Sequence, residues 1–232
     1  MKTSFKFLSF LKLKITTSMN SRFLILSLCS IFLFSCNKKE SSLDEEQFCY
    51  NWKQNSTSDI LLSINEVALV DSLFINNNLS KANLQFFDLS VSSQTNTTYI
   101  KCHQYVNGLK VFSGDLVYLF DSNGKFEEVF GDAITGINLS NKPAMNPNDL
   151  VKTFHDSINA DPQMQGYKSQ MLAECVNLEF GYFDQNAGDG SASPAYIKAW
   201  WLTYDDYSAE MIVNDQSGKT YRYFNGIRTS TK

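Results

Sequence analysis

The dipeptide Asn107-Gly108 predicts a β-hairpin in the middle of this chain, and it is the strongest hairpin signal in the sequence. Both positions tolerate a positive φ angle, which the two-residue type I′ hairpin turn requires. The sequence therefore predicts two antiparallel strands joined by this turn, Tyr99 to Val106 and Leu109 to Asp121. Gly114 interrupts the second strand and predicts a bulge or a kink there.

The same plan, a helix followed by short strands, occurs twice along the chain. After Asp59, a candidate N-cap, apolar residues from Ile60 to Phe74 recur at near-helical spacing. Strands are then predicted at Leu84 to Val91, across the hairpin, and at Lys125 to Gly131.

In the second half, Asn146-Pro147 supplies an N-cap and a first-turn proline for a helix that ends near Ala160. The predicted strands that follow are 172–183, 196–204, 209–214 and 219–227. This order predicts an α+β fold with two tandem cystatin-like units, each a helix packed on an antiparallel sheet. The predicted units are residues 59–140 and 141–232.

The N-terminal segment has the pattern of a signal peptide. The apolar run from Phe23 to Phe34 spans 12 residues, whereas a membrane-spanning helix needs about 20. The run follows Arg22, which fits the order of a secretory signal. Met19 is an alternative start, and either start leaves the mature protein unchanged.

Leu33-Phe34-Ser35-Cys36 resembles the bacterial lipobox, in which a small residue precedes a cysteine. That resemblance implies that residues 1–35 are removed and that Cys36 is the site of lipid attachment. An ordinary secretory signal is the alternative. The polar stretch 36–58 is predicted to be a lipidated flexible tether. We therefore expect a lipid-anchored protein of the bacterial cell envelope, in the outer membrane on its periplasmic or surface face.

Composition excludes several classes of function. The 232 residues are 43% hydrophobic, which is enough to build a core and excludes a wholly disordered chain. The net charge of −4 argues against a nucleic-acid partner. With two histidines, His103 and His155, mechanisms that need several imidazoles are excluded.

The cysteines do not specify a pairing. Beyond the lipobox, Cys49, Cys102 and Cys175 remain, so one disulfide and one thiol would fit an oxidising compartment. Cys102-His103 invites comparison with a nucleophilic thiol–imidazole pair or with a thiol that binds a protease's zinc. Because neighbouring strand residues point to opposite faces, a packed strand position is the favoured interpretation.

The hairpin and the strand after it carry a resemblance to a known family. Residues 104–125 begin Gln-Tyr-Val-Asn-Gly, continue through Val111-Phe112, and end in Asp121-Ser122-Asn123-Gly124-Lys125. This run resembles the fungalysin/thermolysin propeptide (FTP) motif. Further on, the helix from Asn146 and the stretch from Ile212 to Lys219 resemble the PepSY module. The resemblance covers about residues 60–227.

Precursors in that family continue into a peptidase domain with a His-Glu-x-x-His zinc motif, which this sequence does not contain: Asp156 follows His155, and no second histidine lies four residues on. We expect no enzyme activity, no catalytic residue, no cofactor and no metal site. The expected function is that of a binding module on a propeptide-like scaffold. The sequence does not name the partner, and a glycan, a peptide or another envelope protein would each fit. The alternative is an inhibitor or folding chaperone that acts in trans on a secreted thermolysin-like metalloprotease.

Partner binding is predicted to use strand edges and the hairpin. Trp200-Trp201 places one indole on each face of a strand. Core packing of both is the favoured interpretation, and the alternative is that one of them adds an aromatic contact to a partner. The candidate interface residues are Gln104, Tyr105, Gly108, Val111, Phe112, Gly114 and Trp201.

Overall fold

Two β-sheets with accompanying helices make up the structure, which describes residues 47–53, 62–189 and 191–227 in a computed structural model. The elements in chain order are β1 (Tyr50–Lys53), α1 (Ile64–Asn76), β2 (Leu84–Val91), β3 (Thr98–Val106), β4 (Leu109–Lys110), β5 (Leu116–Phe120), β6 (Phe126–Phe130), α2 (Pro147–Ala160), a 3-10 turn (Pro162–Met164), α3 (Lys168–Met171), β7 (Val176–Asp184), β8 (Tyr196–Thr203), β9 (Glu210–Asn214) and β10 (Thr220–Phe224). The first sheet has the order β2-β3-β5-β6, with β4 paired to β3, and the second has the order β1-β7-β8-β9-β10. The predicted α+β class is confirmed.

Helix α1 covers one face of the first sheet. Its N-terminus is fixed by a capping box, in which Ser63 accepts from the Glu66 amide and the Glu66 carboxylate accepts from the Ser63 amide at 2.7 Å. The helix thus begins later than the apolar spacing from Ile60 predicted, and Asp59 lies outside the described residues. The first core is formed by Val70, Leu73 and Phe74 of α1 with Leu84, Phe86, Ile100, Cys102, Leu116 and Phe120 of the sheet.

The hairpin turn forms as predicted, with φ angles of 52° at Asn107 and 78° at Gly108. The strand after the turn is not continuous, because it leaves the sheet between Lys110 and Leu116. Gly114 lies at this break, where an added Cβ would be 2.7 Å from Cδ1 of Ile134. The predicted strand from Leu109 to Asp121 is therefore two short strands with a kink at the glycine.

The tip of the hairpin belongs to the second core. Val106, Leu109 and Val111 are buried there. The amide of Phe112 donates to the carbonyl of Tyr182 at 2.8 Å. The backbone approach is close enough that a Cβ on Gly181 would lie 2.4 Å from the carbonyl oxygen of Lys110. The two halves of the chain thus share a packed interface.

Helix α2 packs on the second sheet. Asn146 caps its N-terminus by accepting from the Asn148 amide at 2.9 Å, and Pro147 is the first helical residue. The apolar face of α2 and the sheet residues against it are all buried: Leu150, Val151, Phe154, Ile158, Leu178, Phe180, Trp200, Leu202, Met211 and Val213. The strand predicted from residue 172 begins at Val176, because Leu172 still ends helix α3.

Strand β1 corrects the prediction of a flexible tether over residues 36–58. Tyr50–Lys53 pairs in parallel with Val176–Glu179 of β7, so the second sheet is mixed and not purely antiparallel. A disulfide joins Cys49 to Cys175 at the start of both strands. The rest of the predicted tether, residues 36–46 and 54–58, and the predicted signal peptide, residues 1–35, lie outside the described residues.

Removing this disulfide should destabilise the protein. The disulfide joins cysteines 126 positions apart and so closes a long loop in the unfolded chain. Without it the unfolded chain gains conformational entropy, which favours unfolding. We expect the free energy of unfolding to fall by about 2–4 kcal/mol in the double variant Cys49→Ala/Cys175→Ala. Urea unfolding of the chain from Asn37 onwards measures the change.

A reductant provides the control for that experiment. It should lower the urea midpoint of the unmodified chain to that of the double variant and leave the variant's own midpoint unchanged. An unmodified chain that is insensitive to the reductant would contradict the prediction.

None of the described helices combines the length and apolar character that crossing a membrane requires.

Candidate interaction surface

Gln104 holds three segments of the chain together. Its Nε2 donates to the carbonyl oxygens of Gly114 at 2.7 Å and Asp132 at 2.9 Å, and its Oε1 accepts from the Ile134 amide at 2.9 Å. The side chain is 5% exposed. Gln104 thus fixes the kink after β4 and the path of the chain after β6.

Most of the predicted hairpin interface is buried. Tyr105 donates its hydroxyl to Oε1 of Gln85 at 3.0 Å, and Val111 is fully inside the second core. Gly114 is buried as well, whereas Gly108 is exposed at the turn. Gln104, Tyr105, Val111 and Gly114 are therefore not available as a contact surface in this fold, because other segments of the chain cover the hairpin.

Phe112 and Trp201 come together where the hairpin lies on the second sheet. Their ring centroids are 5.6 Å apart, and the Lys110 ammonium lies 4.9 Å from the Trp201 ring centroid. Burial lowers the pKa of Lys110, and the Glu179 carboxylate, 3.8 Å away, only partly offsets this effect. Both aromatic rings are half-buried. This cluster mainly joins the two halves of the chain.

Cys102 and His103 lie on opposite faces of β3. Cys102 is fully buried in the first core, whereas the His103 imidazole stacks on Phe87 with ring centroids 4.1 Å apart. Nδ1 of His103 is 2.7 Å from Oδ1 of Asp115. The thiol and the imidazole therefore do not form a nucleophilic pair, in agreement with the strand geometry expected from the sequence.

The outer face of the first sheet, opposite α1, carries an apolar patch. We define the outer patch as Tyr99, Val117, Leu119 and Phe130. Cross-strand pairing sets Tyr99 opposite Leu119 and Val117 opposite Phe130, so the four side chains are neighbours on one face. Phe130 is 48% exposed and the other three are half-buried.

Strand β5 explains why this patch is unusual. Its sequence, Leu116–Phe120, is apolar at every position, and such a strand is expected to be covered on both faces. Helix α1 covers the face of Leu116 and Phe120. Val117 and Leu119 point to the opposite face, where they stay half-buried. The five consecutive apolar residues of β5 are the feature of the sequence that indicates a second face that packs against another surface.

Polar groups surround the outer patch. Lys101 and Asp88 form an ion pair across β2 and β3 at 2.8 Å. Glu128 is paired with Leu119 in register, so its carboxylate lies beside the patch on edge strand β6. An apolar centre with a charged rim is the composition of a protein-binding surface.

The described residues contain no group of three or more His, Cys, Asp or Glu side chains arranged to hold a metal ion. The predicted lipid-attachment site, Cys36, lies outside the described residues.

Comparison with known proteins identifies a motif in the first sheet. Residues 90–133 match the Fungalysin/Thermolysin Propeptide Motif, which confirms the resemblance found in the sequence. The matched stretch runs from the end of β2 through β6 and includes the whole outer patch. It is a propeptide motif and not a peptidase domain.

One solved structure similar to this chain is the Bacillus megaterium YpeB C-terminal domain. The sequences are 10% identical, the match covers 76% of this chain and 68% of that one, and the TM-score is 0.33. No curated protein matches this chain.

Proposed function

We propose that this chain is a non-catalytic lipoprotein of the bacterial cell envelope that binds another envelope protein through the outer patch. The observation that carries the proposal is the outer patch itself, in which Phe130 is exposed and the three neighbouring apolar side chains are half-buried. The patch lies inside the stretch that matches the propeptide motif. The lipobox at Cys36 supports attachment to the membrane.

Substitutions in the outer patch should abolish partner binding without unfolding the protein. Val117 and Leu119 point away from the first core, so lysine at these positions keeps the core intact while it places charge on the patch. In a pull-down from envelope and secreted fractions, the chain from Asn37 onwards should retain a specific protein, and Val117→Lys and Leu119→Lys should lose it.

Gln170→Lys is the matched control, because Gln170 is exposed on helix α3 and lies outside the first sheet. It adds the same charge and should retain the partner. Partner binding that survives both patch substitutions would contradict the proposed surface.

A second candidate function follows from the motif itself. Propeptides of the resembled family assist the folding of a metalloprotease and inhibit it by covering its cleft. The match over residues 90–133 favours the same action in trans on a secreted thermolysin-like metalloprotease. Recovery of such a protease in the pull-down, with its activity lost on binding, would select this candidate. Recovery of a different envelope protein would select the first.

A further inference from the structure

Three aromatic side chains line one side of the chain where the described structure begins. Phe48, Tyr50 and Trp52 are spaced two residues apart, so they share one face of the extended segment that includes β1. We call them the aromatic strip. Phe48 packs against the second core, whereas Tyr50 is 37% exposed and Trp52 is 46% exposed.

The aromatic strip is held rigidly. The Cys49–Cys175 disulfide lies between its first two members, and β1 is paired with β7 along its whole length. The Trp52 ring meets the buried Trp200 ring edge to face, with centroids 4.8 Å apart. The backbone of the strip and the Trp52 ring are therefore held before any partner binds, which lowers the entropy lost on binding.

The strip also lies close in sequence to the predicted lipid. The chain from Cys36 to Gln47 can span at most about 40 Å, its fully extended length. A folded unit of this size has a radius of gyration of about 16 Å. Lipid attachment at Cys36 would therefore limit how far the β1 edge can lie from the bilayer surface.

We propose that the aromatic strip docks on the headgroup layer of the membrane that holds the lipid anchor. The proposal rests on the lipid attachment in the proposed function, and it concerns a surface of the second sheet that the outer patch does not include. Tyr and Trp combine an apolar ring with a polar group, which suits the interface between headgroups and acyl chains.

The acidic charge of the chain favours neutral lipid headgroups over anionic ones as the surface that the aromatic strip contacts. The chain carries a net charge of −4, and none of its 24 acidic residues precedes Cys36, so anionic lipids would repel the folded unit. Lys53, the cation of β1, is paired with Asp205 at 3.6 Å. Because the lipid anchor holds the strip at high effective concentration, a weak contact is sufficient.

Tryptophan quenching by brominated lipids tests the docking. The chain from Cys36 onwards would be coupled through the Cys36 thiol to a maleimide lipid in phosphatidylcholine vesicles with brominated acyl chains. This coupling is selective because Cys49 and Cys175 are joined and Cys102 is fully buried. We expect the vesicles to quench part of the emission, and Trp52→Phe to remove that quenched part.

Two further variants make the test specific. Trp201→Phe removes a half-buried indole outside the strip and should leave the quenched part in place. Tyr50→Ser should reduce quenching of Trp52 at an unchanged urea midpoint. Absence of quenching in the unmodified chain, or quenching that persists in Trp52→Phe, would overturn the proposal. Quenching of Trp52 by soluble glycan fragments and not by vesicles would also overturn it.

Because the lipid is attached chemically, the vesicle experiment does not depend on whether cells acylate Cys36. Labelling of growing cells with a fatty-acid probe, with Cys36→Ala as control, reports whether Cys36 is acylated. A chain that is not acylated would contradict the proposed anchoring, whereas the vesicle result depends only on the aromatic strip.

Discussion

Replacing Asp215 with alanine should lower the free energy of unfolding by about 3–5 kcal/mol, the range for removing one partner of a buried ion pair. The carboxylate is fully buried. It accepts from the Trp200 indole at 2.8 Å and from the Lys198 ammonium at 2.9 Å. It also accepts from the amides of Ala144 at 2.8 Å and Met145 at 3.1 Å. Alanine would leave four donors without this acceptor, one of them a charged group.

The destabilisation should depend on pH. Burial by itself raises the pKa of Asp215, but the hydrogen bonds from Ala144, Lys198, Met145 and Trp200 outweigh burial and hold the pKa below 3.8, its usual value. A lowered pKa in the folded state means that the carboxylate contributes its full stabilisation above that usual value. The contribution is lost as the pH falls through the folded-state pKa. The difference between the unmodified chain and Asp215→Ala should therefore shrink in acid.

Urea unfolding at neutral pH and in acid measures both effects, with Asp215→Asn and Asp206→Asn as a matched pair. Both remove one negative charge, but Asp206 is exposed. We expect Asp206→Asn to stay within about 0.5 kcal/mol of the unmodified chain. A small loss for Asp215→Ala, or a loss that does not change with pH, would contradict the stabilising role of the hydrogen bonds to Asp215.

Gly181→Ala should separate the hairpin from the second sheet. The new Cβ would lie 2.4 Å from the Lys110 carbonyl oxygen and 2.7 Å from Cζ of Phe112. The nearer atom belongs to the backbone, so a change of side-chain rotamer cannot relieve the contact. We expect a loss of about 3 kcal/mol, the upper end of the range for overpacking. The urea midpoint measures the loss, and a change in Trp201 emission reports movement of Phe112.

Gly136→Ala is the control for this substitution. A Cβ at Gly136 meets no atom within 4 Å, and neither Gly136 nor Gly181 has a positive φ angle. Alanine at Gly136 should therefore be neutral or slightly stabilising, because it restricts the unfolded chain. Equal midpoints for the two variants would contradict the close approach of the hairpin to β7.

Local patterns in the sequence were sufficient for most elements of the fold. Asn107-Gly108 predicted the hairpin because a positive φ at two successive positions leaves few other structures. Asn146-Pro147 predicted the start of α2 for a similarly local reason, since the cap is made by the adjacent Asn148 amide. The apolar helix faces and the positions of most strands along the chain also follow from spacing alone.

The site was less predictable, because burial depends on segments far apart in the chain. The sequence suggested Gln104 as an interface residue, yet its side chain is bonded to the segment around Asp132 and Ile134. Strand β1 was missed because its polar flanks resemble a linker. The alternation of Phe48, Tyr50 and Trp52 was the available signal, but its partner β7 lies more than a hundred residues away.

The sequence by itself determined the α+β class, the hairpin turn, the Asn146 cap of α2 and the propeptide motif, since each depends on residues close together in the chain. The tertiary structure alone decided which cysteines pair, which strand adjoins β7, and which apolar face stays uncovered. Each of these depends on contacts between distant segments. An amino-acid pattern indicates that a face is apolar, but it does not indicate which segment will pack against that face. The outer patch and the aromatic strip are two such surfaces among the described residues, and the proposed partners are what would cover them.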